Sequence, residues 1–345
     1  MAKERNSGLD LLRLLAGIAV IMLHYNYGYA FSVIDNLPAS NRVILYALET
    51  LCVPAVNVFI LISGYFLFRT DKRSIGKVLN LLILVIFIRE FYYLGMVSLG
   101  KLPFQWGKFF QYLIPRCYFV ILYGALYLLS PYINIIIRSL SGNSLKYLLL
   151  LICVILSIEP WFVDIMQKAT TYDWRGISMI SFNGGDGGQT LIHFTFMYIL
   201  GACINKLGEE VNHYVCLEGG VFIVSSIVVF LGITKFSLWF EVSYYNPFVV
   251  LQSLSLFSLF QNVKCHKIIS IFSKAALVCY VIHPYLLQFL NIKIYANQPF
   301  YILITHIVVS LIGIYMVSFV FMIVYDFVFK KPIGYLNNIK TNYFL

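Results

Sequence analysis

Apolar residues in this chain do not alternate with polar ones. They gather in long blocks separated by short polar segments, near residues 8–28, 45–68, 77–98, 117–137, 145–163, 190–206, 214–233, 246–263, 268–290 and 300–329. A helix needs about 20 mostly apolar residues to cross the hydrocarbon core of a bilayer. Blocks of that length without a period of two predict spanning helices and exclude a barrel. The pattern therefore predicts an all-α, polytopic membrane helical bundle of about ten transmembrane helices. With no internal repeat, linker or appended soluble domain in evidence, residues 1–345 read as one membrane domain.

Composition sharpens this picture. Of the 345 residues 60% are hydrophobic and 12% charged, about half the charged share of a soluble domain. The formal charge of +10 would suggest nucleic acid in a soluble protein, but no basic stripe exists and basic residues mark cytoplasmic loops. With both termini cytoplasmic, Lys3, Arg5, Arg69, Lys72, Arg73, Lys146, Lys206, Lys264 and Lys267 fall inside, and fewer cations fall outside. The outer loop holding Lys101, Lys108 and Arg116 runs against that trend. Arg13 and His24 within the first block argue against a cleaved signal peptide, so the expectation is a multi-pass protein of the cell (inner, cytoplasmic) membrane. The seven cysteines form no C-x-x-C pair and read as small buried hydrophobes, with no metal site. The glycine-rich segment Asn183-Gly184-Gly185-Asp186-Gly187-Gly188 lacks the Lys-Ser/Thr of a phosphate loop and reads as a turn.

Charge inside hydrocarbon costs roughly 2.5–3.5 kcal/mol or more, which makes each intramembrane ionisable residue a candidate site. Arg13 and His24 lie eleven positions apart, so they return to within about 20° of one helical face at depths about 16 Å apart. Arg13 can be a snorkelling anchor paired with Asp10, or a ligand contact. A neutral-range pKa suits His24 to general-base chemistry, while a hydrogen bond between helices is the plainer alternative. His283 reaches a similar depth in the ninth block. Arg89 and Glu90 are adjacent and cannot face each other on a helix; Glu90 is a candidate to orient a histidine, or one half of an interhelical ion pair. Ser63-Gly64-Tyr65 permits close backbone approach, and Arg69 and Arg73 form a cytoplasmic cluster suited either to topology or to an anion.

Arg13-x10-His24, Phe59 to Ser63-Gly64-Tyr65, the basic Arg69 and Arg73, and Tyr280-Val281-Ile282-His283 together resemble the membrane-bound acyltransferase 3 family over almost the whole chain. The resemblance implies His24 as catalytic base and Arg13 as an acyl-donor contact. It also implies transfer of an acyl group, commonly acetyl from acetyl-CoA, onto a surface polysaccharide or lipid-linked glycan. Tyr118-Phe119 through Ser130-Pro131 is similar to the polysaccharide-acting branch. Two features depart from the pattern: Cys117 stands where an aromatic residue is expected, and the basic pair after the second block is widely spaced.

The reading is thus an acyl-CoA-dependent membrane O-acetyltransferase with no bound cofactor. Arg13, Arg69 and Arg73, with Ser63 and Tyr65, would contact acyl-CoA; His24, His283 and Glu90 would join Arg13 at the catalytic centre. Its partners would be acyl-CoA, a glycan acceptor and the bilayer, with no nucleic acid. Ser63, Tyr65 or His283 would supply the oxyanion donor. The rival is a non-enzymatic transporter or flippase for a lipid-linked or anionic glycan, with the same residues lining a polar pathway.

Overall fold

The computed structural model describes residues 6–180, 185–208 and 214–337; Lys3, Arg5, Lys340, Asn183 and Gly184 lie outside them. The described chain is helical without strands, in the order α1 (Ser7–Asn26), α2 (Ala39–Cys52), α3 (Ala55–Leu67), α4 (Ile75–Ser98), α5 (Trp106–Tyr112), α6 (Tyr118–Ser139), α7 (Gly142–Cys153), α8 (Glu159–Ala169), α9 (Leu191–Leu207), α10 (Val215–Phe236), α11 (Pro247–Gln261), α12 (Lys267–Phe272), α13 (Ala276–Leu287), α14 (Ile292–Ala296) and α15 (Phe300–Asn337). Every apolar block becomes helix.

Among the described residues eight helical stretches are long and apolar enough to cross a membrane, where the sequence predicts about ten. The difference lies in α9 and α11, which have 17 and 15 residues. Their starts are set by local chemistry: Thr190 accepts a hydrogen bond from the His193 N–H, and Asn246 caps α11 ahead of Pro247 at its first turn. Both lie within the bundle, their inward faces buried. The second spanning stretch runs longer than the 45–68 block, from Ala39 to Leu67, with a turn at Val53-Pro54 between α2 and α3.

The first helix is central. Asn6 accepts from the Leu9 N–H at its start, and α1 packs on α2, α3, α11, α12, α13 and α15. Helices α3 and α9 pack backbone to backbone. A Cβ on Gly64 would lie 2.2 Å from the Tyr198 carbonyl oxygen, and one on Gly201 would lie 2.1 Å from that of Leu61. Each glycine admits the other helix's backbone, as the Ser63-Gly64 pair suggests.

Candidate functional site

At the N-terminal end of α1, Asp10 is fully buried and accepts from Arg13 at 2.9 Å and from the Ser270 hydroxyl at 2.6 Å. This pairing spares Arg13 the cost of an isolated charge. The Arg13 guanidinium also lies 5.0 Å from the Phe66 ring centre, and Arg69 lies 5.5 Å from the same ring and 4.9 Å from Tyr65. Two cations, one on α1 and one in the turn after α3, are thereby held at one aromatic ring. Ser63, one turn earlier, donates to the Phe59 carbonyl at 2.8 Å.

Arg73 is different. It is 5% exposed and donates to the carbonyls of Leu67, Thr70, Lys72 and Tyr127 and to the Ser130 hydroxyl. Those bonds spend its guanidinium on tying the α3–α4 turn to α6, so it differs from Arg13 and Arg69 in what it offers a ligand. Asp71 in that turn binds Arg138 and Asn134. Burial acts to raise the Asp71 carboxyl, but hydrogen bonds from Arg138 and Asn134 and nearby positive charge hold it below its ordinary value.

Three turns along α1, about 16 Å from Arg13, His24 meets His283 from α13 with ring centres 4.6 Å apart and planes tilted by 48°. His283 is 1% exposed. Its Nδ1 lies 2.9 Å from the Cys279 carbonyl, which can only accept, so Nδ1 carries the proton. In the neutral ring Nε2 is then a lone pair, and it has no hydrogen-bond partner.

Two cavities meet at this pair. One, of about 480 Å³, is lined by both histidines together with Tyr92, Tyr112, Arg116 and Tyr285. The other, of about 390 Å³, is lined by His24, Glu49, Gly187, Gln189 and Tyr244. His24 and Tyr118 border both. Burial pushes the Tyr112 and Tyr244 phenols up, so both remain hydrogen-bond donors at neutral pH.

The expected site is thus divided between two places. Arg13, Arg69 and Tyr65 come together at one end, with Ser63 on the adjoining turn; His24 and His283 come together at the other. Ser63 and Tyr65 line neither cavity at His24, whereas Tyr118 is the phenol common to both. Glu90 orients no histidine: both carboxylate oxygens are buried without a hydrogen bond, and neither cavity includes it. Its neighbour Arg89 turns away, donating to the Gln111 and Tyr112 carbonyls and the Tyr285 hydroxyl.

Glu49 is the residue that sequence reasoning overlooked. It lies inside the second apolar block, so the criterion that singled out Arg13 applied to it equally. Its carboxylate accepts from Asn26 at 2.8 Å, two residues beyond His24 on α1. The glycine-rich segment forms a turn at Asp186-Gly187-Gly188, all with positive φ, and the Gly187 carbonyl accepts from the Tyr244 N–H at 2.8 Å. That turn closes one wall of the Glu49 cavity.

Comparison with known proteins places residues 6–324 in a match to the family model described as an acyltransferase domain, the acyltransferase 3 type. No curated protein and no solved structure matches the chain.

Proposed function

The chain belongs to the acyltransferase 3 family, and from that premise we propose that it moves an acyl group from cytosolic acyl-CoA to a hydroxyl of a surface or lipid-linked glycan. The observation that carries the proposal is the facing of His24 and His283, from helices at opposite ends of the sequence, with one ring nitrogen of His283 unpaired. Neutral His24 has one N–H and one lone pair, so it can turn its N–H to Nε2 of His283 and its lone pair to a substrate hydroxyl. That N–H bond strengthens when His24 takes a proton and becomes charged.

On this reading the sugar hydroxyl attacks the thioester carbonyl and gives its proton to His24. The carbon–sulfur bond breaks as the ester forms, and the proton returns to the departing thiolate as free CoA thiol. His283 stabilises the imidazolium by accepting its N–H, as an oriented carboxylate does in hydrolytic triads. Tyr118 is placed to donate to the oxyanion. At the other end Arg13 and Arg69 bind donor phosphates, for which guanidinium forks are well matched. Acetyl-CoA is the donor to try first, the family resemblance favouring acetyl transfer.

The test is thiol release in membranes. Wild-type protein given acetyl-CoA and glycan acceptor releases CoA thiol and adds an acyl mass to the glycan. His24→Ala inserts at normal level and loses both by about two to four orders of magnitude. Transfer at the wild-type rate by His24→Ala would end this assignment.

A further inference from the structure

The cavity shared by His24 and His283 has a wall that the transfer chemistry leaves unused. Tyr92 and Tyr285 pack with ring centres 4.6 Å apart, Tyr112 lies within 6.4 Å of Tyr92, and Gln288 accepts from the Tyr92 hydroxyl at 3.1 Å. Arg89 braces this wall from behind, its guanidinium 5.0 Å from the Tyr112 ring centre and each of its three nitrogens donating within the wall and the adjoining backbone. Arg116 lines the same cavity, and among the described residues nothing hydrogen-bonds or ion-pairs with its side chain. No carboxylate lines this cavity; Glu90 stands outside it.

A guanidinium without an acid, at the mouth of a cavity that ends on an unpaired imidazole lone pair, suits an anion. Phenol rings in the same wall suit the apolar C–H face of a sugar, and the Tyr285 hydroxyl, which accepts from Arg89, keeps its own O–H to donate. The cavity on the other side of His24 is lined by the Glu49 carboxyl and by no Arg or Lys, so it offers the same ligand no cation. Arg116 also belongs to the loop whose cations oppose the topological trend; Lys101 of that loop rests on the Phe289 ring at 5.2 Å, and neither it nor Lys108 lines the cavity, which leaves Arg116 as the loop cation that does.

We propose that this tyrosine-walled cavity is the acceptor subsite and that the acceptor is an anionic glycan. Its carboxylate or phosphate pairs with Arg116, its ring lies on the Tyr92–Tyr285 wall, and a hydroxyl points to the histidines. The inference rests on the acyltransferase reading for that last element and on the cavity alone for the binding.

Binding is therefore measured apart from turnover, on the full chain in phosphatidylcholine nanodiscs. The probes are a glucuronate-containing oligosaccharide, its carboxyl-reduced counterpart, and the reduced sugar carrying a phosphomonoester. At least one charged probe should bind roughly tenfold or more tightly than the neutral one, the factor expected of a charge-assisted hydrogen bond. Arg116→Gln should remove that preference and Arg116→Lys keep part of it. Which charged probe is preferred identifies the anion as carboxylate or phosphate. Equal affinity for charged and neutral probes, or a preference intact in Arg116→Gln, overturns the proposal. Charged-probe binding without His24-dependent acyl transfer would sink the transfer reading and leave the subsite standing. Transfer that proceeds equally well to neutral and charged acceptors would do the reverse.

Discussion

Three arginines near the beginning of the chain look alike in sequence and differ in what surrounds them. Arg73 is buried and donates to four carbonyls and a hydroxyl, whereas Arg69 is exposed and rests on two aromatic rings. Arg73→Ala should lower the thermal midpoint in detergent, because it removes the buried tie from the α3–α4 turn to Tyr127 and Ser130 of α6, at a cost of about 1–3 kcal/mol. Arg69→Ala should leave the midpoint nearly unchanged and raise the KM for acyl-CoA. A KM effect from Arg73→Ala at unchanged stability would contradict this division. His283 offers a finer test. His283→Ala should lower kcat by about two orders of magnitude, and His283→Gln by less, since an amide oxygen can still accept from the His24 imidazolium. At this scale the sequence was legible wherever an ionisable group interrupts an apolar block, as at Arg13, His24 and His283. It was misleading at Glu90, since a charge in a block shows that a partner is needed but not which neighbour supplies it.

Helix contacts depend on backbone approach, which sequence indicates only through small residues. Gly64 of α3 and Gly201 of α9 each lie against the partner helix's backbone, so Gly64→Ala or Gly201→Ala should force α3 and α9 apart at a cost of about 1–3 kcal/mol. A thermal midpoint equal to wild type for both would show the contact to be looser than described. The α3–α4 turn carries a pH-dependent tie. Asp71 is held below its ordinary value by Arg138, so its contribution is fully present above the unfolded carboxylate range near about 3.9 and is lost as pH falls through the lower folded value. Asp71→Asn should therefore destabilise by a constant amount from neutrality down to mildly acidic pH, and the gap to wild type should close below about pH 4. A gap that widens on acidification would reverse the sign of this account. Helix starts were legible where a polar cap borders a block, as at Thr190 and Asn246; the start of α2 at Ala39, ahead of the second block, was not, because Ser40, Asn41 and Arg42 interrupt the hydropathy signal.

Across the whole molecule, the histidine pair and its two cavities gather at the end of α1 opposite to Arg13, Arg69 and the Asp71 turn. On the proposed reading, with the N-terminus cytoplasmic, donor and acceptor would be bound on opposite membrane faces, joined along α1. A membrane-impermeant amine reagent applied to sealed vesicles with the outer face exposed should label Lys101, Lys168 and Lys293 and spare Lys72, Lys146 and Lys206; the opposite pattern would invert the arrangement. The bundle itself was legible because water and lipid sort residues by block length. The pairing of His24 with His283 was only suggested by equal depth, since hydropathy records how deep a residue lies and not which helices touch. The most direct test of that pairing is a double-mutant cycle on acyl transfer with His24→Ala, His283→Ala and the combined variant. If the imidazoles act as one unit, the combined variant should be scarcely slower than His24→Ala alone. Losses that multiply, each histidine costing its full factor in the absence of the other, would contradict the account.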